Sequence, residues 1–125
     1  MNKTINETIS VIIPGFNFKD SLIKVLNSTF NQTINPKQII IVDSSPNNSI
    51  EIAIENFKSK NQNKNIEIIL LKQKNRTYPG KARNIGSKKA RGSILAFLDS
   101  KTIPKNSWLE ESLNKINDGD LDVVF

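Results

Sequence analysis

The sequence predicts an α/β protein with a doubly wound, mostly parallel sheet that carries helices on both faces. Four short apolar runs, rich in β-branched residues, alternate with four segments whose apolar residues recur at helical spacing. Three of the runs barely alternate between apolar and polar residues, which is typical of strands buried on both faces. Regular alternation of strand and helix indicates a parallel sheet with crossover helices.

The predicted strands cover residues 9–14, 38–43, 66–71 and 93–99, and the last segment, "DGDLDVVF", is predicted to be a turn and the start of a fifth strand. A strand needs about 5 to 6 residues, and a buried one needs further chain to cover it. We therefore expect residues 1–125 to be a single domain within a longer protein, with residues 1–8 as a flexible N-terminus.

The four helices are predicted from apolar stripes that follow capping residues or a Pro-Gly pair. The first two begin after Asp20 and Ser49, the third after Pro79-Gly80, and the fourth near Ser107. Their stripes are, in chain order, Leu22, Ile23 and Leu26; then Ile50, Ala53, Ile54 and Phe57; then Ala82, Ile85 and Lys89; then Trp108, Leu109, Leu113 and Ile116. Trp108 is expected in the core.

Composition excludes several kinds of chemistry. The chain has no cysteine and no histidine, so disulfides, thiolate or imidazole metal ligands and imidazole bases are all excluded. The net charge is +6, but its 18 basic residues are spread along the chain and aromatics make only 6%, so we do not expect nucleic-acid binding.

Hydropathy indicates no membrane segment, because no apolar run approaches the roughly 20 residues that a span requires. The N-terminus also lacks the apolar core of a signal peptide. We expect a cytoplasmic protein, either free or attached peripherally at the cytoplasmic membrane face.

Two aspartates occupy matching positions at strand ends. Asp43 and Asp99 each follow the last apolar residue of a predicted strand, and we expect the two strands to be neighbours. Ligands of doubly wound sheets bind beyond the carboxyl ends of the strands, where carboxylates contact ribose or base groups or hold a divalent cation. The alternative is that each aspartate caps the following turn or helix.

Basic residues open the third helix. The segment "NRTYPGKARNIGSKKARG" places Lys81 and Arg83 in its first turn, where free N–H groups and an Arg fork attract phosphate. Lys88, Lys89 and Arg91 fit a solvated face, or alternatively a surface for an acidic partner.

In the turn Pro14-Gly15-Phe16-Asn17, the Phe16 ring could stack on a base or cover the core, and the residues leave both alternatives open.

Three motifs occur in one order over nearly the whole of residues 8–125: "SVIIPGFN", "IIIVDSSPNNS" and "GKARNIGSKKARGSILAFLDSKTIP", followed by Trp108. In this order and spacing they resemble the family 2 glycosyltransferases, in the nucleotide-binding half of the GT-A fold. The resemblance implies binding of a nucleoside diphosphate sugar and glycosyl transfer to a hydroxyl of a glycan or lipid-linked acceptor, in polysaccharide biosynthesis. The family's general base is an acidic residue of the later half, and no residue of this chain matches it.

The resemblance also implies which residues bind the donor. These are Pro14, Gly15 and Phe16 around the nucleobase and ribose, Asp43 on the base, Arg83 near the base or phosphates, Lys81 beside it, and Asp99 at the diphosphate. Lys101, which departs from the family pattern, is a further candidate to bind the donor there. Asp99 matches the first aspartate of the Asp-x-Asp signature, whose last aspartate ligates a divalent metal, Mn²⁺ or Mg²⁺.

The last signature position is Lys101, and the family's Asp-Asp-Gly-Ser is reduced to Asp43-Ser44-Ser45-Pro46. A cation cannot ligate a cation, so two hypotheses follow. The Lys101 ammonium replaces the metal as counter-charge, or the site has decayed or holds a metal elsewhere and Lys101 is solvated. A nucleotide-binding pseudoenzyme and a non-enzymatic α/β interaction domain are the alternatives to a transferase.

Overall fold

In the computed structural model, which describes residues 7–117 and 123–124, five strands alternate with four helices. The strands are β1 Ile9–Gly15, β2 Gln38–Asp43, β3 Glu67–Lys72, β4 Ile94–Phe97 and β5 Val123–Val124. The helices are α1 Lys19–Phe30, α2 Ser49–Lys60, α3 Pro79–Lys89 and α4 Trp108–Asn117. No described helix is long and apolar enough to cross a membrane.

The strands form one parallel sheet in the order β3-β2-β1-β4-β5. This confirms the predicted doubly wound α/β class and the fifth strand, whose preceding turn lies outside the described residues. Strands β2 and β3 follow on one side of β1, and β4 and β5 follow on its other side. The direction in which strands are added therefore reverses between β1 and β4. One expectation is wrong, since β1 lies between β2 and β4 and separates the strands that carry Asp43 and Asp99.

Helices cover both faces of the sheet. Alternate residues of the central strands, such as Val11 and Ile13, pack into a large core with α1, α2 and α4. Ile12 and its neighbours on β2 pack into a smaller core against Ala82 of α3. Because β1 and β2 are buried on both faces, their sequences read as continuous apolar runs.

Helix α3 lies directly against the sheet. A Cβ atom added to Gly86 would lie 2.6 Å from Cγ2 of Ile12, so the Ile12 side chain already occupies the space that a side chain at position 86 would need. The missing side chain at Gly86 therefore allows the helix to lie close to β1.

Three helix starts differ from the sequence predictions. Helix α1 begins at Lys19, which puts Asp20 inside the first turn, and α2 begins at Ser49 with Asn48 before it. Ile23 is 40% exposed and does not join the buried stripe. Helix α3 begins at Pro79, so the Pro-Gly pair that was predicted to precede it forms its first two residues, and the missing proline N–H has no intrahelical role there. The predicted flexible segment 1–8 falls mostly on residues 1–6, outside the described part of the chain.

A polar network, buried at Ser10 and Gln38 and exposed at Glu67 and Arg91, closes the amino ends of the strands. Oε1 of Gln38 accepts hydrogen bonds from Oγ of Ser10 and from the N–H of Arg91, both at 2.6 Å. Nε2 of Gln38 donates to Oε1 of Glu67 at 3.2 Å, and Arg91 forms an ion pair with the same carboxylate. Arg91 is exposed, as expected, and its backbone N–H and guanidinium also join the α3–β4 loop to the sheet.

Candidate functional site

Two adjoining cavities lie beyond the carboxyl ends of β1 and β4, where the strand order reverses. The first, of about 320 Å³, is lined by the β1 end, the segment that leads into α3 and residues 99–101. The second, of about 400 Å³, lies on the side of Trp108 and Pro104. Arg83 and Asp99 line both cavities. Crevices at such a reversal are where doubly wound sheets bind ligands.

The turn after β1 presents Phe16 to the first cavity. Asn17 takes a positive φ of 51°, a conformation that Asn tolerates better than most residues, and its N–H donates to Oγ of Ser45 at 2.8 Å. A side chain at Gly15 would collide with the Phe18 ring, which is buried beneath the turn. Phe18 is therefore the aromatic that fills the core, and Phe16 lines the cavity.

Arg76 covers the Phe16 ring. Its guanidinium carbon lies 4.3 Å from the ring centroid, the geometry of a cation–π contact. Arg76 lines the first cavity together with Tyr78, which is 75% exposed. Sequence reasoning missed both residues, although an Arg and a Tyr shortly before a Pro-Gly helix start were a signal that could have found them.

Arg83 is the basic residue of α3 that enters the site. Its side chain is half-buried, and within the described residues its buried Nε has no hydrogen-bond partner. A buried N–H without an acceptor is costly, so the position favours an acceptor supplied by a ligand. Lys81, two residues earlier, is exposed and lies outside the lining of both cavities.

Asp99 and Lys101 form one wall of the first cavity. Oδ1 of Asp99 accepts the backbone N–H of Lys101 at 2.7 Å, so the carboxylate closes a local turn. Both side chains are exposed and both line the cavity. The turn-capping alternative therefore holds for Asp99, which also lines the cavity, and its role toward a ligand stays a prediction.

The residues of the cavity do not fit a protein-held divalent cation. Asp99 is the single carboxylate in the described lining, and it stands among Arg76, Arg83 and Lys101. Residues 7–117 and 123–124 contain no group of three or more acidic side chains that could hold a metal ion. Mg²⁺ and Mn²⁺ prefer several oxygen ligands, whereas this lining is dominated by cations.

Asp43 is placed differently from Asp99. Its side chain is fully buried and lies outside the lining of both cavities. Oδ1 accepts the N–H of Ser45 at 2.9 Å, and Oδ2 lies 2.9 Å from Nζ of Lys72. Sequence reasoning missed Lys72. The pair shapes the loop after β2, and Ser45 of that loop holds Asn17.

The wall around Trp108 is held by Gln32, which lies just after α1. Oε1 of Gln32 accepts the N–H of Leu109 at 3.0 Å, and its Nε2 donates to the carbonyl of Lys105 at 2.8 Å. These bonds connect the end of α1 to the start of α4. Trp108 packs against the large core, as expected, and also lines the second cavity.

Comparison with known proteins identifies the family. The sequence profile described as "Glycosyl transferase family 2" matches residues 10–125. The chain belongs to glycosyl transferase family 2. This confirms the family inferred from the motifs.

Members of family 2 from archaea and bacteria are among the relatives. The chain is 32% identical over 119 residues to "Glycosyltransferase AglE" of Haloferax volcanii, covering 93% of the chain and 38% of that protein. It is also 32% identical over 127 residues to "Minor teichoic acid biosynthesis protein GgaB" of Bacillus subtilis, covering 98% of the chain and 14% of that protein.

Solved structures share the fold. Staphylococcus aureus TarS 1–349 in complex with UDP superimposes with a TM-score of 0.73 at 26% identity, over 89% of the chain and 32% of that structure. Mannosyltransferase PcManGT of Pyrobaculum calidifontis, in complex with GDP-Man and Mn²⁺, gives a TM-score of 0.77 at 20% identity, over 88% of the chain and 32% of that structure. The second likeness concerns the fold alone. The chain thus spans about a third of the length of these structures.

Most of the predicted site residues of this family 2 chain meet in one place. Pro14, Gly15, Phe16, Arg83, Asp99 and Lys101 line the first cavity. Asp43 and Lys81 lie outside it. The roles of all these residues toward a ligand stay predictions.

Proposed function

We propose that residues 1–125 form the donor-binding part of a family 2 glycosyltransferase, which binds a nucleoside diphosphate sugar beyond β1 and β4. The observation that carries the proposal is the cavity at the reversal of strand order, where an aromatic ring and three cations converge. Two structures of TarS, which is 26% and 29% identical to the chain, are complexes with UDP and UDP-GlcNAc. A uridine diphosphate sugar is therefore the first donor to test.

Each part of the donor has a matching wall. The turn at Pro14, Gly15 and Phe16 offers an apolar wall to the nucleobase, and Arg76 lies over the Phe16 ring; bases stack on aromatic rings and on guanidinium planes. Arg83 reaches both cavities, which suits the diphosphate that joins the nucleoside to the sugar. The sugar would then extend into the second cavity, beside Trp108.

Two of the predicted ligand residues receive other roles in this proposal. Asp43 is a positioning residue, because its oxygens already accept hydrogen bonds from Ser45 and Lys72. Lys81 makes no direct contact with the donor, because it lies outside both cavities.

The reaction would transfer the glycosyl group to an acceptor hydroxyl of a glycan or a lipid-linked acceptor. That step needs a general base close to the hydroxyl. The matched relatives are much longer than this chain, and we assign the base and the acceptor site to their later part. The proposed function of residues 1–125 is therefore donor binding.

The test is calorimetric titration of UDP and GDP into the chain, each in Mn²⁺ and in EDTA. We expect one nucleotide to bind, and Phe16→Ala to weaken its binding by about tenfold through lost stacking, which contributes about 1–3 kcal/mol per base. Lys88→Ala, on the exposed last turn of α3, is the matched control and should bind as the wild type does.

A chain that is folded by circular dichroism and binds neither nucleotide in either buffer would refute the proposal. Binding to an acidic protein that weakens with salt and ignores nucleotides would then favour the interaction-domain alternative.

A further inference from the structure

We infer that this chain holds the donor diphosphate with its own cations, Lys101 together with Arg76 and Arg83, in place of a protein-bound divalent metal. The inference rests on the proposed function, because it concerns the charge balance of the same cavity. It departs from the Asp-x-Asp metal site that the family resemblance implies.

The first reason is the charge of the cavity. Its lining carries three cationic side chains and one carboxylate, which is a formal excess of two positive charges. An anion with several charges, such as a diphosphate, compensates this excess. A divalent cation at the same place would add two positive charges and be repelled by its neighbours. The cavity therefore already has the counter-charge that a metal would supply.

The second reason is the state of Asp99. One of its oxygens accepts the N–H of Lys101, so the residue that replaces the last aspartate of the signature also engages the first. A divalent metal beside a diphosphate is usually held by one or two carboxylates together with phosphate oxygens, and the single carboxylate of this wall is already engaged in the turn. The turn instead brings the Lys101 side chain to the rim of the cavity, where an ammonium can contact phosphate as a point charge.

The third reason is independent of the signature and concerns Arg83. Its buried Nε lacks an acceptor among the described residues, although the side chain borders both cavities. A phosphate oxygen between the cavities would supply that acceptor. Arg76 is held over Phe16 on the same side, which orders a second guanidinium without pairing it to a carboxylate in the described ion pairs. Two guanidinium groups and one ammonium thus line one cavity.

The experiment compares UDP with uridine, or GDP with guanosine, in Mn²⁺ and in EDTA. The wild type should bind the diphosphate with the same affinity in both buffers. Lys101→Met removes the charge and keeps the length of the side chain. It should weaken diphosphate binding by about tenfold, the scale of one charge-assisted contact, and leave nucleoside binding unchanged.

Two further variants serve as controls. Lys101→Arg keeps the charge and should retain diphosphate binding. Lys88→Met removes an exposed lysine of α3 outside both cavities and should change neither affinity.

The outcomes separate this inference from the proposed function. Diphosphate binding by the wild type that requires Mn²⁺ would overturn the inference and keep the function. Equal losses for UDP and uridine in Lys101→Met would also overturn it, because the loss would not come from phosphate. Absence of all nucleotide binding by a folded chain would overturn both.

Discussion

Nζ of Lys72 lies 2.9 Å from Oδ2 of Asp43, a carboxylate with no solvent exposure. The two residues end neighbouring strands and are paired in the register of β2 and β3. Nζ also donates to the carbonyl of Ser45 at 3.0 Å, so one ammonium holds both the carboxylate and the loop that follows it. A strand-end aspartate, which by its position suggests a ligand contact, is thus part of the scaffold beneath the Phe16 turn.

Removing the Lys72 ammonium should destabilise the protein. Lys72→Met leaves Asp43 buried without its counter-charge, and we expect the free energy of unfolding to fall by about 1–3 kcal/mol. Lys72 itself is 35% exposed, so water partly screens the pair and the loss stays below that of a fully buried one. Urea unfolding at neutral pH measures the change.

The exposed Lys74, two residues later, offers a matched control as Lys74→Met. A double-mutant cycle with Asp43→Asn isolates the pair, because the amide oxygen can still accept the N–H of Ser45. Equal stabilities of the Lys72 and Lys74 variants would contradict the role of the pair.

Two glycines of α3 should respond in opposite ways to the same substitution. Gly86→Ala places a Cβ 2.6 Å from a methyl carbon of Ile12, so the helix must move from the sheet, at a cost of about 1–3 kcal/mol. Gly80→Ala meets no atom within 4 Å and should be neutral or stabilise by up to about 1 kcal/mol through helix propensity. Thermal unfolding compares the two variants, and a tolerated Gly86→Ala would refute the close approach of α3.

The hydrogen bonds of Gln32 should stabilise the start of α4 and the position of Trp108. Gln32→Ala leaves the N–H of Leu109 without its acceptor at the start of α4, and we expect a loss of about 1–2 kcal/mol, as for other helix caps. Trp108 is the one tryptophan of the chain, so its fluorescence reports directly on this wall. A red-shifted emission in Gln32→Ala, but not in the exposed control Gln62→Ala, is the expected result. An unchanged spectrum would show that Trp108 is held by the core alone.

The amino end of the sheet should show a weak acid dependence. The hydrogen bond from Arg91 is the largest of the influences that lower the pKa of Glu67 below its ordinary 4.5, with Gln38 and Lys37 adding to it. Because the pKa of Glu67 is lower in the folded state than in the unfolded state, the ionised carboxylate stabilises the protein at any pH above the unfolded-state pKa. This stabilisation is lost as the pH falls through the folded-state pKa.

The measurement is urea unfolding of Glu67→Gln and wild type from neutral pH down into the acid range. At neutral pH, we expect the free energy of unfolding of Glu67→Gln to lie less than about 1 kcal/mol below that of the wild type, since the Glu67–Arg91 pair is exposed. We expect no difference once Glu67 is protonated. Arg91→Gln should remove most of the same pH dependence. If Glu67→Gln lowered the free energy of unfolding by the same amount at every pH, the loss would come from packing and not from the charge of Glu67.

Local patterns explain how much could be predicted. The run from Gln38 to Asp43 matches its predicted bounds, because burial on both faces acts within a few residues. The Pro79-Gly80 pair marked the region where α3 starts, but it lies inside the helix and not before it. The order of the motifs was enough to identify the family. The caps Asp20 and Ser49 were each placed slightly off, since several polar residues near a helix start can serve.

The sequence by itself determined the types and order of the strands and helices, the family, and the presence of lysine at position 101. Each of these can be recognised within a short stretch of chain. Only the tertiary structure decided that β1 separates β2 from β4, that Lys72 neutralises Asp43, that Arg76 covers Phe16 and that Lys81 lies outside the site. Strand order and side-chain pairing depend on contacts between distant residues, which no local pattern encodes. The direction of each side chain at the carboxyl edge follows from that packing.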